Sequence, residues 1–438
     1  MSILMTYGFL RSRGRRYLPA LMLVGGLALG GCDLTVDNPG PVADDFLNDE
    51  LAQPALVNSI GYAFLSAFNQ VTYTQMVVTR ETHFAGQTGA HGFPFAAHLG
   101  ELNPEDMNVH WNNSHQARWI AEDAVERMRT LMGPAFSSSQ NVGRALLWQG
   151  YVYRLMGENW CHTVLDGGAP ESNEVLFTRA ESALTEAMSV AQSSGDVEGH
   201  RAARAARASI RAFQGDWTGA VSDAREIPTD FVFSIRTSGL ADDQHNRVYW
   251  GSSNNPWRAH SVWNTFYEDY FTETGDPRAS WGSDPAVPWG NSQVTGIGNV
   301  PWYFQTKYTA QDSPYPLSKG TEMRLIEAEA LLRSGDWQGA MTLINEVRTR
   351  NVSVLDGTSL SPWTADNLEE AWTHLKRERG IELWLEGRRL GDLRRWVTDG
   401  SPGAMADMTG RSLCFPIPDA ERERNPNVPV DFPGAPTG

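Results

Sequence analysis

Apolar residues recur at intervals of three and four along most of this chain, and strand-like alternation is scarce. That spacing places apolar side chains on one face of a helix. It predicts helices over Phe46–Ala67, Trp111–Leu131, Gln140–Met156, Val175–Ala191, Gly199–Phe213, Thr218–Ile227, Thr321–Leu332, Gly339–Arg350 and Leu368–Trp396. The fold class that follows is mainly α.

One unit recurs. Gln214-Gly215-Asp216-Trp217-Thr218-Gly219-Ala220 returns as Ser334-Gly335-Asp336-Trp337-Gln338-Gly339-Ala340. The helix before each copy carries apolar residues at i, i+3 and i+7 (Ala203, Ala206, Ile210; Met323, Ile326, Ala330). The helix after each does so at i, i+4 and i+7 (Ala220, Ala224, Ile227; Ala340, Ile344, Val347). Gly ends one helix, the aromatic ring packs at the bend, and the small Ala lets the two helices approach. The unit resembles the tetratricopeptide hairpin, which buries its apolar stripe only by stacking on neighbours.

Between the copies the pattern breaks. Tyr249–Phe304 holds thirteen aromatic residues, six Gly and five Pro in fifty-six positions, with no Leu and one Ile. Helical cores lean on Leu and Ile. The stretch therefore reads as an aromatic, loop-rich insertion (231–319) between scaffold segments 46–230 and 320–400, with 401–438 closing the chain. Indole faces stack on the apolar faces of sugar rings and on peptide planes, each contact contributing roughly 0.5–1.5 kcal/mol beyond area burial. Trp250, Trp257, Trp263, Trp281 and Trp289 are the candidate ligand-binding residues, because each neighbours Gly, Asn, Ser or Pro instead of an apolar stripe.

The N-terminus changes the picture of the compartment. Arg11, Arg13, Arg15 and Arg16 precede a largely apolar run, Leu18–Leu29, too short to span a bilayer as a helix. It ends in Leu29-Gly30-Gly31-Cys32, which resembles a bacterial lipobox. The expectation is a signal peptide over 1–31, diacylation and exposure of Cys32 as the first mature residue, and a lipid-anchored tether over 32–45. Several acyl chains on one terminus anchor durably, whereas one does not. In an oxidising compartment two cysteines then remain, Cys161 and Cys414. Pairing across a very long loop and two separate buried thiols are both open.

Lys+Arg number 36 against 52 Asp+Glu, a formal charge of −16. This argues against the clustered cations that nucleic acid and a polybasic membrane patch require. The only lysines are Lys307, Lys319 and Lys376. The chain lacks G-x-S-x-G, H-E-x-x-H, a Walker loop and paired C-x-x-C. His83, His91, His98, His110 and His115 fall close together without ligand spacing, so no metal or other cofactor is expected and polar loop contacts are the better use. Glu378, Glu382 and Glu386 share a helical spacing, interleaved with Arg377, Arg379, Arg388, Arg389 and Asp392. Carboxylates so placed are held ionised, which suits a structural network and not a catalytic acid.

In the C-terminal half, Arg324-Leu325-Ile326-Glu327-Ala328-Glu329-Ala330 is followed by the Gly335-Asp336-Trp337 hinge and Leu343–Arg348. Glu378–Arg389 and Asp392–Trp396 come next, then Phe415-Pro416-Ile417-Pro418 with Glu421 and Asn425-Pro426-Asn427. In this order these segments are similar to the SusD/RagB family of outer-membrane lipoproteins. The lipobox and Trp111-Asn112-Asn113 also fit, while Asp33 after the acylated Cys is a departure. The resemblance implies a helical scaffold of tetratricopeptide-like hairpins with ligand loops on one side. It further implies no catalysis, a lipid anchor in the outer membrane, and a SusC-like TonB-dependent barrel as partner. Over that barrel the protein would sit as a lid, capturing an oligosaccharide or, in some members, a peptide. A tetratricopeptide-type scaffold with a protein ligand, and a secreted helical glycoside hydrolase, are the competing readings.

Overall fold

The computed structural model describes residues 44–87, 95–255 and 257–438. Residues 1–43, with Cys32, the signal segment and most of the tether, lie outside them, as does His91. Fourteen α-helices occur among the described residues: α1 (Gln53–Val78), α2 (Ala96–Leu99), α3 (Asn108–Met132), α4 (Gln140–Asn159), α5 (Glu174–Ser194), α6 (Val197–Gln214), α7 (Trp217–Ala224), α8 (Arg247–Ser252), α9 (Phe266–Thr274), α10 (Gly320–Arg333), α11 (Trp337–Thr349), α12 (Leu368–Glu382), α13 (Arg389–Thr398) and α14 (Asp419–Arg424). The strands are short: β1 (His83–Phe84), β2 (His162–Val164), β3 (Pro170–Ser172), β4 (Val232–Ile235), β5 (His260–Ser261), β6 (Trp281–Ser283), β7 (Tyr303–Gln305) and β8 (Tyr315–Lys319). They form four antiparallel pairs, β1–β5, β2–β3, β4–β8 and β6–β7. The mainly helical class is what the periodicity gives.

Both repeat copies form the hinge that the sequence implies. Gly215 and Gly335 close α6 and α10 at φ 79° and 87°, a region open to glycine. Asp216 and Asp336 then accept the amides of Gly219 and Gly339 at 2.9 Å, capping α7 and α11. The structure adds a third hinge. Gly195 (φ 76°) and Asp196, which accepts the Gly199 amide at 3.0 Å, join α5 to α6 in the same backbone conformation. The shared pattern is G-D-x-x-G. A Cβ on the last glycine would collide with the capping carboxylate in every copy. Val197 stands where the other two have Trp, which hides this copy in the sequence. The hairpins stack through small residues: Ala205, Ala208 and Ala212 of α6 and Ala220 and Ala224 of α7 enclose Met323 and Ile326 of α10.

Leu368–Trp396 is not one helix. α12 ends at Glu382, and the chain turns through Leu385 (φ 59°) and Gly387 (φ 72°) before α13. Glu386 therefore leaves the helix face that Glu378 and Glu382 share. All three glutamates still meet cations, but mostly from outside their own segment. Arg278 pairs with Glu378 and Glu382, and Lys319 with Glu382 and Glu386, while Lys307 adds a second bond to Glu386. Burial raises both carboxyls of the helix. At Glu382 the opposing pull of Lys319 and Arg278 wins and holds it far below the usual range. At Glu378 burial outweighs Arg278, and its pKa is raised, contrary to the expectation. Residues 44–438 form one compact unit, and Cys161 and Cys414 are joined in a disulfide with Cα atoms 5.5 Å apart. No helix among the described residues is long and apolar enough to cross a membrane.

Candidate functional site

The aromatic insertion leaves α7, returns at α10, and folds back over the end of α1. Its key pairing is β5 against β1, with His83 opposite Ser261 and Phe84 opposite His260. A second crossing follows directly. The Asn291 side chain accepts the Gln87 amide at 2.7 Å and donates to the Trp257 carbonyl. Gly290 lies so close to Ala85 that a Cβ there would overlap its carbonyl. Segment 83–87 is thus the rail along which three of the five tryptophans are arranged: Trp257 through Asn291, Trp289 beside Gly290, and Trp263 through its ring.

The Trp263 ring meets the His83 imidazole edge-on at 5.1 Å. It lines a hollow of about 400 Å³ together with Asn264, Thr265, Phe266, Glu268, Asp269 and Arg80. Phe266 is exposed there and stacks on Tyr270 at 5.3 Å, so one of its faces is supported from behind. Arg80 and Asn264 both adopt positive φ (59° and 55°), the Arg80 guanidinium donating to the Asn264 carbonyl at 3.2 Å. Left-handed backbone is uncommon outside glycine, and for a residue like arginine it is a strain that the surroundings must hold. A second hollow of about 240 Å³ adjoins the first through Arg80 and Thr265, and its wall adds His83, His98 and Arg411.

The remaining candidates separate. Trp250 packs against both His245 (5.1 Å) and Trp257 (4.7 Å), half-buried. Trp289 stands 48% exposed. Trp281 turns instead into the framework, stacked on Tyr303 at 4.5 Å, with its indole N–H donated to the Glu268 carbonyl at 3.2 Å. A third and larger hollow, about 720 Å³, lies between α1, α4 and β4 and includes none of the five. Of its three rings, Trp148 packs among Phe64, Tyr151 and Phe233 and is tied to the core, and the exposed Tyr62 donates its hydroxyl to Asp243. Among the described residues no cluster of three metal-ligating side chains occurs.

Sequence reasoning missed Arg80, Phe266 and Arg411. It noticed His83 and His98 as part of a histidine-rich stretch, without a site to put them in. What the arrangement offers is flat apolar faces beside hydrogen-bonding side chains at a solvent-facing hollow. That combination fits a ring with polar edges and apolar faces.

Comparison with known proteins adds a family match over part of the chain, and a fold. A family model described as the SusD family matches residues 242–412. No curated protein matches the sequence. A SusD/RagB family protein from Bacteroides thetaiotaomicron is similar with a TM-score of 0.63 at 13% identity, covering 86% of this chain and 94% of that one. A SusD superfamily protein from Bacteroides vulgatus gives 0.63 at 17% identity, covering 87% and 98%. A laminarin-binding SusD-like protein gives 0.58 at 15% identity, covering 89% and 99%.

Proposed function

We propose, from the family-model match over residues 242–412 and the shared fold, that the chain is a SusD/RagB family member and a non-catalytic nutrient-binding lipoprotein that captures an oligosaccharide. The observation that carries this reading is the hollow in which Trp263 and Phe266 stand beside Asn264 and Arg80. Trp263 is the main platform. Trp289 and the Trp250–Trp257 pair extend the aromatic surface along the insertion, and Trp281 braces α9 from behind. Cys32, diacylated before residues 1–31 are removed, anchors the protein to the outer membrane at the cell surface. The tether over 32–45 lets it swing as a lid over a SusC-like TonB-dependent barrel. One related structure is described as a SusD-like carbohydrate binding protein and another as laminarin-binding, which favours glycan over the peptide ligands of some family members.

Replacing Trp263 by Ala removes one stacking face, worth roughly 0.5–1.5 kcal/mol beyond area burial, so affinity for the best-bound oligosaccharide should fall about three- to tenfold in titration calorimetry. Because the half-buried ring also packs on His83 and the core, the thermal midpoint should fall somewhat, and affinity is compared at a temperature where the variant is fully folded. Recovery of the intact sugar after long incubation separates capture from hydrolysis, and cleaved product would reject the non-catalytic reading. Co-purification of a large barrel from mild detergent, lost in Cys32→Ser cells, tests the anchor and the lid. Persistent membrane attachment of the Ser variant would overturn that part.

A further inference from the structure

The smaller hollow has a chemical bias that the saccharide reading alone does not explain. Four nitrogen-bearing side chains converge on it: Arg80, His83, His98 and Arg411. Among the described residues its lining contains no carboxylate, in a chain where acids outnumber cations 52 to 36. Neither guanidinium is spent on an acid. Arg80 donates to the Asn264 carbonyl, and Arg411 donates to the Val78 carbonyl at 2.9 Å, but among the described residues neither makes an ion pair. Burial lowers the Arg411 pKa and the charge of Arg80 lowers it further, with exposed Asp407 pulling the other way. The two cations therefore repel across a small space that no carboxylate of the described residues lines, while the acids Glu268 and Asp269 line the adjoining hollow, which shares Arg80.

The histidines sharpen the reading. His83 Nδ1 lies 2.7 Å from the Phe84 carbonyl. A carbonyl only accepts, so Nδ1 carries the proton and Nε2 is left as an acceptor. Burial, together with His83, Arg411 and Arg80, pushes His98 down to about 4, and burial also lowers His83. Both rings are neutral at pH 7. The hollow is thus lined by two cations suited to an anion and by a neutral imidazole whose second nitrogen is an acceptor. Arg411 is positioned by the chain itself: the next residue, Ser412, donates to Gly100 O at 2.7 Å and accepts the Leu102 amide at 2.9 Å.

Resting on the proposed glycan capture, we infer that the hollow at Arg80 and Arg411 binds the carboxylate or sulfate of an acidic sugar unit whose neighbouring ring lies on Trp263. A guanidinium matches either anion through charge-assisted, forked hydrogen bonds. The His83 Nε2 acceptor favours a hydroxyl-bearing sugar over a bare anion. The adjoining hollow, sharing Arg80 and Thr265, seats the ring.

The test is a matched panel of neutral oligosaccharides (malto-, xylo- and laminari-) and acidic ones (oligogalacturonides, glucuronoxylan fragments, chondroitin sulfate fragments), titrated against the full mature protein, wild type, Arg80→Gln, Arg411→Gln and Trp263→Ala. Acidic members should bind best, with affinity falling as NaCl rises. Uronates against sulfates identify the source of the anion. Each arginine variant should lose about tenfold or more for acidic members, the size of one charge-assisted hydrogen bond, and nothing for neutral ones. Arg80 is exposed, so its variant is the one that keeps the fold if Arg411→Gln does not. Best binding by neutral members, indifferent to both arginines but dependent on Trp263, overturns this inference and leaves glycan capture standing. Binding by no saccharide overturns both. Binding of a tetraglutamate peptide through the arginines, with no acidic sugar bound, overturns the sugar and assigns the site to peptide.

Discussion

Glu81 is buried just beyond the end of α1 and shows how single residues hold the distinctive turn. Its carboxylate accepts the Leu385 amide at 2.8 Å and its carbonyl accepts the Trp384 indole N–H at 3.1 Å. These two bonds help hold Leu385 at φ 59°. All three lysines serve the same end of the molecule. Lys307 and Lys319 donate to the Trp384 and Glu382 carbonyls, and Lys376 to those of Ser401 and Gly403. A compact ammonium with three donors can serve two acceptors at once where a planar guanidinium would not fit. Burial pushes the Glu81 carboxyl up to about 7, against the pull of the Leu385 amide and Arg389. The folded chain therefore keeps a proton that the unfolded chain releases near 4.5. The stabilisation from that proton is complete below the unfolded value and is lost as pH rises through 7. Glu81→Gln keeps the acceptor for Leu385 and abolishes the titration. Its stability relative to wild type should improve by about 2 kcal/mol between pH 5 and pH 8 in urea titrations. A constant difference across that range would show that Glu81 titrates normally.

At the scale of elements, the repeated hinges are the units that the sequence declares best. Asp336 caps α11 and makes no ion pair among the described residues, so Asp336→Ala should cost about 1 kcal/mol and Asp336→Asn much less. Asp216 caps α7 in the same way. The two caps share no partner, so the double Ala variant should cost roughly the sum in chemical denaturation. A marked shortfall would mean that the hinges depend on each other. Two of these hinges are legible because Gly, Asp, Trp and Ala recur in register. The third, at Gly195-Asp196, escapes a search that requires the aromatic, although the cap needs only Gly, Asp and the second Gly. Long amphipathic runs are readable for the same reason, since a 3.6-residue period is written locally. The break inside 368–396 is not, because a partner that helps hold it, Glu81, lies 304 residues away in sequence. The candidate site divides along the same line. Trp263 stands out in composition, but Arg80, His83, His98 and Arg411 join it from three distant segments, and only the β1–β5 pairing and the closing segment bring them together.

For the molecule as a whole, the closing segment decides how the scaffold and the site stay together. After Arg411 the chain threads past α4: Phe415 donates to the Asn159 carbonyl at 2.8 Å and packs its ring at 5.1 Å from Trp160. The terminal Gly438 amide returns to the Arg411 carbonyl at 3.0 Å. The Cys161–Cys414 disulfide fastens this arrangement, closing a loop of 253 residues. A crosslink over so long a loop restricts the unfolded chain strongly, and removal of such bonds costs about 2–5 kcal/mol. The Cys161→Ser/Cys414→Ser variant should thus unfold at lower urea, with wild type falling to the same midpoint only when reductant is present. Much of the helical scaffold is closed by its own hinges and stacked alanines, so the loss should not be spread evenly. Hydrogen exchange should accelerate first over 411–415, and the hollow built by Arg411 should loosen before α6, α7 and α10 do. Affinity for an acidic sugar should then fall in the double Ser variant at temperatures where its far-ultraviolet circular dichroism is still native. If binding and helicity are instead lost together, the closing segment is an inseparable part of the core and the disulfide stabilises the whole unit without favouring the site.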